Sequence, residues 1–363
     1  MDSGAITRTS GLLVSLAAFV VIIAGMKASA TLLVPFLLAL FIAVIIASPY
    51  SWLQARGLPS SLALLVVLGL FVGIVFLLGA LIGTSVDDFS RNFPEYQIRL
   101  KENTGRLVAW LNNKGLHVSG DAVSAYMDPA KAMKMVANII SSLGGALTNG
   151  FLILITVIFL MLEAASFPGK WCAARSNAED SLGQFYAAIG NINQYMGIKT
   201  LTSLATGIAI AAWLAILGVD YPLLWGLLAF LLNFVPNIGS IIAAIPAVLL
   251  ALVQLGAVSA LLTGLGFLAV NITIGTFLEP RFMGKGLGLS TLVVFLSLIF
   301  WGWVLGPVGM LLSVPLTIAI KIALDSHDNT RWMAIMLGPG VESGFLPVNQ
   351  AQVPETDIQE SGP

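Results

Sequence analysis

The chain has 363 residues, of which 58% are hydrophobic and only 10% are charged, and its mean hydropathy is +0.94. Soluble domains carry roughly 25% charged residues, so this composition excludes a soluble protein. The formal net charge of −1 gives no reason to expect nucleic acid as a partner, and the single cysteine excludes a disulfide within the chain.

The apolar residues fall into many segments of about 20 residues, the length needed to cross a hydrocarbon core about 30 Å thick. The sequence therefore predicts an all-α polytopic membrane protein with about 8 transmembrane segments. Two of these segments are broken by glycine and proline in the manner of re-entrant hairpins. A small helical insert is predicted outside the membrane.

Residues 1–85 are predicted to form the first three transmembrane helices, at residues 12–26, 32–47 and 62–83. Arg8, the first apolar run and Ala28-Ser29-Ala30 also fit a signal peptide with its cleavage site. Lys27 lies just before that supposed site, and further spans follow at once. These features favour an uncleaved first helix.

Residues 86–142 hold half of the charged residues outside the tails, and apolar residues such as Phe89, Phe93 and Tyr96 recur among them at helical spacing. This pattern predicts a small helical extramembrane domain, and a solvated amphipathic arm is favoured over a docking module. Residues 143–324 are predicted to form a transmembrane transport region that also contains a mixed, amphipathic segment at 164–199. Residues 325–363 are predicted to be a cytoplasmic, largely disordered tail.

The distribution of basic residues predicts the orientation, because Lys and Arg near short loops favour the cytoplasmic side. Most of these residues fall on one side if the amino terminus is cytoplasmic, with Lys27 as the exception. The residues that agree are Arg8, Arg56, Lys170, Arg175, Arg281, Lys285 and Arg331. Both termini are therefore predicted to be cytoplasmic and the insert periplasmic.

The broken segments lie at residues 222–256 and 289–324, and each contains a Pro/Gly break followed by a second proline. Proline lacks the amide that continues a helix, so each segment is expected to form two half-helices. Paired breaks of this kind are the best sequence indication of a secondary-transporter substrate site, and we expect them to meet near the bilayer midplane. Two unrelated Pro-kinked helices remain the alternative.

The candidate substrate-binding residues are the polar side chains and backbone at these breaks. They are Asn233, Pro236, Asn237, Gly239, Ser240, Gly306, Pro307, Gly309 and Ser313. Asn271, in the span between the two segments, is a further candidate, although an interhelical hydrogen bond is its more ordinary role.

The sequence Glu279-Pro280-Arg281 follows that span and is expected at the cytoplasmic interface. An ionised side chain at mid-bilayer costs about 2.5–3.5 kcal/mol on insertion scales, so the interface is the cheaper location. We expect a structural Glu279–Arg281 pair that fixes the corner, and a cytoplasmic gate that breaks and re-forms is the alternative.

The motifs of several enzyme classes are absent from the sequence. Neither G-x-x-x-x-G-K-[ST] nor H-E-x-x-H occurs, and both histidines lie outside the predicted spans. We therefore expect neither an enzyme nor a cofactor or metal site. The spans also lack the rows of ionisable residues typical of a proton relay, which favours a neutral solute.

Three motifs together resemble the autoinducer-2 exporter family: residues 233–239, residues 279–284, and the run from Phe300 to Pro315. The resemblance implies a bacterial inner-membrane protein that moves the quorum-sensing signal autoinducer-2 out of the cell. Relatives have also been assigned sodium/proton antiport, so the resemblance leaves the substrate open.

The residues therefore favour a secondary transporter of a small polar solute, and the resemblance implies that it exports autoinducer-2. A sodium(cation)/proton antiporter is one alternative, with Glu163, Asp220 or Glu279 as its titratable carboxylate. A membrane scaffold that acts through the insert is another. We expect the lipid bilayer and a coupling ion, sodium or proton, as further partners. We also expect a homo-oligomer. Small-residue pairs such as Gly69/Gly73 allow close helix contact, and packing within one protomer explains them at least as well as contact between protomers.

Overall fold

The computed structural model describes residues 3–113, 138, 150–174, 178–236, 238–283, 288–326 and 330–339. The candidate Asn237, most of the insert after residue 113 and the tail after residue 339 lie outside this description. Among the described residues all regular elements are helical, which confirms the all-α prediction.

The described residues form a series of helices, numbered in chain order. They are α1 (Ser3–Ala28), α2 (Ala30–Ala55), α3 (Ser60–Asn113), α4 (Gly150–Ala174), α5 (Ala178–Leu217), α6 (Pro222–Leu232), α7 (Gly239–Leu255), α8 (Ala257–Asn271), a π-helix (Ile272–Leu278, hereafter the π segment), α9 (Glu279–Met283), α10 (Thr291–Leu305), α11 (Pro307–Asp325) and α12 (Arg331–Met336).

In the described part of the chain, five helical segments are long and apolar enough to cross a membrane. They are Ala30–Ala55, Ser60–Asn103, Ile192–Leu217, Ala257–Phe282 and Pro307–Asp325. Five shorter apolar helices of 10–17 residues accompany them, including α6, α7 and α10. This inventory confirms a polytopic membrane protein.

Helix α3 contains 54 residues without a break, so no helix ends at the predicted domain boundary after residue 85. Its length is about 80 Å at 1.5 Å per residue. The helical spacing of apolar residues continues past the boundary, and Phe89, Tyr96 and Leu100 are buried in the same core as α5, α6 and α7. The first part of the predicted insert therefore continues the helix that contains the third predicted span.

The two predicted breaks are confirmed as interruptions between helices. We call α6 and α7 with their link at residues 233–238 hairpin 1, and α10 and α11 with their link at Gly306 hairpin 2. The 11 residues of α6 reach only about 16 Å, which is about half of a hydrocarbon core. Gly306 has a φ of +71°, a backbone conformation that glycine adopts without strain.

The tips of the two hairpins pack against different parts of the protein. At the first tip, Phe234 makes an edge contact with Phe41 in the middle of α2, at 5.5 Å between ring centroids. Near the second tip, the Trp303 ring lies 3.9 Å from Lys27 Nζ at the end of α1. The structure therefore does not place the two breaks opposite each other, because each contacts a different level of the first two helices.

Candidate functional site

A polar cavity of about 180 Å³ lies where α5, the tip of hairpin 1, the π segment and hairpin 2 come together. Its lining combines amide, hydroxyl and charged groups with a few apolar side chains. The lining residues are Tyr195, Lys199, Asn233, Val235, Pro236, Ser240, Asn271, Gly275, Thr276, Glu279, Val294 and Val314.

A buried ion pair occupies one wall of this cavity. Lys199 Nζ donates to both carboxylate oxygens of Glu279, at 2.7 and 2.9 Å. The two side chains are only 6% and 15% exposed, and both residues belong to membrane-length helical segments. Ionisable residues inside membrane helices are expensive and mark functional sites, so this pair identifies the cavity as the candidate site.

The predicted Glu279–Arg281 pair is wrong, because Glu279 pairs with Lys199 and Arg281 is exposed. Residues two apart on a helix do not face each other, so a short bridge between Glu279 and Arg281 was unfavourable from the start.

The tip of hairpin 1 contributes the cavity's amide and hydroxyl groups. Asn233 is buried, and its Nδ2 donates to Ser203 Oγ of α5 at 3.0 Å, which fixes the tip against that helix. Ser240 is the second residue of the following helix, and its side chain and that of Asn271 both line the cavity. Neither Ser240 nor Asn271 forms a side-chain hydrogen bond with any described residue, so both remain available to a solute.

The π segment brings polar residues from α8 and α9 to the same wall. The Glu279 amide donates to the carbonyl of Ile274, five residues earlier, in place of the usual four. Asn271, Gly275 and Glu279, which lie four residues apart, all line the cavity. Single π turns inside α-helices are frequent at functional sites, and this one connects the ion pair to the amide of Asn271.

The structure brings together five of the predicted site residues: Asn233, Pro236, Ser240, Asn271 and Glu279. Gly239 is buried and does not line the cavity, and neither do Pro280 and Arg281, which directly follow Glu279.

The predicted residues of hairpin 2 lie outside this cavity. Ser313 is fully buried and its Oγ donates to the carbonyl of Met310, while Gly306, Pro307 and Gly309 form the distant tip. Hairpin 2 contributes Val294 and Val314 instead.

Sequence reasoning missed Tyr195, Lys199 and Thr276, which also line the cavity. Lys199 was assigned to the mixed segment before a span, although four mostly apolar residues, Tyr-Met-Gly-Ile, precede it directly. The continuous helix Ile192–Leu217 shows that Lys199 lies inside a membrane-length element. The apolar residues on both sides of this lysine were the signal that could have located it.

A second cavity of about 390 Å³ lies between α7 and α8 and is almost entirely apolar. It shares Ser240 and Asn271 with the polar cavity, so these two residues separate a polar from an apolar compartment. Among the described residues, no three His, Cys, Asp or Glu side chains are placed to hold a metal ion.

Comparison with known protein families matches residues 16–328 to the family described as AI-2E family transporter. The chain belongs to the AI-2E transporter family. AI-2E proteins move a small solute across a membrane, and their curated relatives carry transport names and no enzyme names. The resemblance seen in the three sequence motifs is thereby confirmed.

Several AI-2E relatives are similar over most of their length. The AI-2 transport protein TqsA of Escherichia coli is 42% identical over 326 residues, which cover 90% of this chain and 95% of TqsA. A protein of Haemophilus influenzae, provisionally named a transport protein, is 40% identical over 332 residues, or 90% of this chain and 95% of its own. YrrI of Bacillus subtilis, also provisionally named a transport protein, is 26% identical over 318 residues, or 81% of this chain and 86% of its own.

Proposed function

We propose that this AI-2E family protein is a secondary transporter that exports autoinducer-2 across the bacterial inner membrane. The name of the similar protein TqsA supports the solute, and the polar cavity beside a broken helix supports the mechanism. We place both termini in the cytoplasm and the insert in the periplasm, and we expect a homo-oligomer.

The observation that carries this proposal is the polar cavity with unpaired amide and hydroxyl groups. Its volume of about 180 Å³ is below the roughly 300–1,000 Å³ of sites for drug-sized ligands, so it suits a small solute. Asn271 and Ser240 offer both donors and acceptors, which match the hydroxyl groups of a polyhydroxylated molecule. The substrate site is therefore assigned to the five predicted residues in the cavity together with Tyr195, Lys199 and Thr276.

The test is uptake of labelled autoinducer-2 by liposomes that contain the purified protein. Asn271→Leu removes an amide from the cavity and is expected to lower the initial rate about tenfold, since an unmatched buried polar group costs about 1–3 kcal/mol. Ile272→Leu, at the neighbouring exposed position, is the matched control and retains its rate. Equal rates for both variants and the unchanged protein would remove the cavity from the transport path.

A cation/proton antiporter is a second candidate, and the buried ion pair is the observation that favours it. Of the three carboxylates considered from sequence, Glu163 is exposed and pairs with Lys170, and Asp220 accepts from Tyr96 outside the cavity. Glu279 alone among the three lines the cavity, where Lys199 Nζ occupies a position that a monovalent cation could take.

Vesicles with a sodium gradient and a pH-sensitive dye distinguish the two candidates. Proton movement that a sodium gradient drives without solute, and that is lost in Glu279→Gln, identifies an antiporter. Autoinducer-2 flux in vesicles that show no such movement in the absence of solute identifies a solute exporter. The scaffold alternative depends on the insert at residues 86–142, of which only residues 86–113 and 138 are described, and no contact among the described residues favours it.

A further inference from the structure

We propose that Pro280 is a positioning residue that keeps the helix in its π form over Ile272–Leu278 and thereby directs the Glu279 carboxylate at Lys199. The inference rests on the proposed role of the polar cavity. It holds that Pro280, which does not line the cavity, determines where the Glu279 carboxylate lies in it. Pro280 follows Glu279 directly and lies next to the last turn of the π segment.

The physical cause is the proline ring. In an α-helix, the ring of Pro280 would clash with the carbonyl of residue i−4, which is Thr276, and the missing amide would leave that carbonyl without its usual donor. The helix widens at this turn, where the Glu279 amide donates to Ile274. The wider turn separates the Thr276 carbonyl from the ring, so Pro280 favours the π form over the α form.

The consequence of this widening is a change of register. A π turn contains one residue more than an α turn, and one residue corresponds to a rotation of about 100° around the helix axis. If the segment relaxed to an α-helix, Glu279 would rotate away from Lys199 by about that angle. Leu278 would then occupy the place in which Glu279 now meets Lys199.

This register shift defines a rescue experiment. Pro280→Ala allows the segment to relax and is expected to lower transport of the labelled solute about tenfold or more, since small displacements of a site can cost that much. Exchanging the two preceding residues, Leu278→Glu with Glu279→Leu, returns a carboxylate to Lys199 only in the Pro280→Ala background. The triple variant is therefore expected to recover at least half of the lost rate, while the exchange with Pro280 retained is inactive.

Two further measurements separate this role from a general structural one. Pro49→Ala, at an exposed proline inside α2, is the proline control and retains its rate. The thermal midpoint in detergent is followed for every variant, and the triple variant is expected to regain the midpoint that Pro280→Ala loses. Loss of rate in Pro280→Ala without recovery in the triple variant overturns the proposal, as does an unchanged rate in Pro280→Ala.

The outcome for Pro280 is distinguishable from the outcome for the proposed function. If Asn271→Leu does not affect transport but the triple variant recovers the thermal midpoint, Pro280 sets the helix register and the cavity is not the transport path. If Asn271→Leu abolishes transport and the triple variant recovers nothing, the cavity binds the solute and the register proposal is wrong.

Discussion

Lys199 and Glu279 lie in the cavity as an ion pair, and each compensates the buried charge of the other. Removing one partner of a buried pair leaves an uncompensated charge, whereas replacing both by apolar residues is often neutral. The pair therefore makes a stability prediction that does not depend on the transported solute.

We expect Lys199→Met and Glu279→Met each to lower the free energy of unfolding by about 3–5 kcal/mol, and the double variant to regain most of that loss. Denaturant unfolding in detergent, followed by tryptophan fluorescence, measures all three. Losses that simply add in the double variant would show that the two residues are not energetically coupled.

Residue-level features were predictable where local chemistry marks them. Asn233, Pro236 and Ser240 were found because a Pro/Gly break and polar side chains coincide in an apolar run. Lys199 was not found, because its role depends on Glu279, 80 residues away, and only tertiary packing brings them together. A lysine at the border of an apolar run can lie either at the membrane interface or in the protein interior. Which of the two applies depends on whether an acidic partner is available inside the protein.

The two hairpins are the elements that shape the site. Each contains a glycine near its tip whose Cα lies so close to the backbone of the preceding helix that a side chain would not fit. A Cβ on Gly239 would lie 1.8 Å from the Leu232 carbonyl oxygen, and one on Gly309 would lie 2.0 Å from that of Trp301. Both distances are far below van der Waals contact, and the atoms met are backbone atoms that cannot rotate away.

Gly239→Ala and Gly309→Ala are therefore expected to destabilise the protein by about 1–3 kcal/mol or more, as overpacking does in tight cores. Gly73→Ala is the matched control, because a Cβ there meets nothing within 4 Å. Thermal unfolding of the three variants in the same detergent measures the difference. Equal thermal midpoints for all three variants would show that the backbone at the hairpin tips can move apart to accept a Cβ without loss of stability.

The breaks themselves were predictable at the element scale because Pro and Gly act locally on the helix. Where each tip packs was not, since Phe41 and Lys27, the contacts of the two tips, are distant in sequence. The π segment was also missed. Pro280 indicated a disturbed helix, but the sequence favoured a corner because an acidic and a basic residue flank that proline.

At the scale of the whole molecule, α3 holds the open end of hairpin 1. Tyr96 donates to Asp220 Oδ2 at 2.7 Å, at the start of the hairpin. Asn103 Nδ2 donates to the carbonyls of Leu252 and Val253 at 3.2 and 3.4 Å, at its other end. Both legs are thus attached to one helix, and the tip at the cavity extends from that attachment.

Asn103→Leu removes the side-chain donor that α3 supplies to the carbonyls of Leu252 and Val253 at the end of α7. The Leu252 carbonyl keeps its bond from the Gly256 amide, whereas the last carbonyls of a helix otherwise depend on donors outside it. We expect amide hydrogen exchange at the end of α7 to accelerate about tenfold, which corresponds to the roughly 1–1.5 kcal/mol of a lost hydrogen bond. Lys101→Ala, at an exposed position on the same helix, is the control and leaves the exchange unchanged. Unchanged exchange in Asn103→Leu would show that α3 does not hold the hairpin.

The long α3 was only partly predictable. Its charged residues begin near residue 87 and indicated a change of environment, which the sequence interpretation treated as a domain boundary. The helical spacing of Phe89, Phe93 and Tyr96 continues across that point, and packing against hairpin 1 preserves the helix. The content of charged residues indicates whether a segment is exposed to water. It does not show where a helix ends, because that depends on the residues against which the helix packs.

A 54-residue helix of about 80 Å is much longer than a lipid bilayer, which measures about 40–45 Å with its headgroups. Even at a tilt of about 40°, the far end of α3 must project into water. Proteases and antibodies in that compartment can reach this end, although the cavity is closed to molecules of their size. The same helix therefore carries both the attachment of the buried hairpin and a surface that lies in water beyond the bilayer.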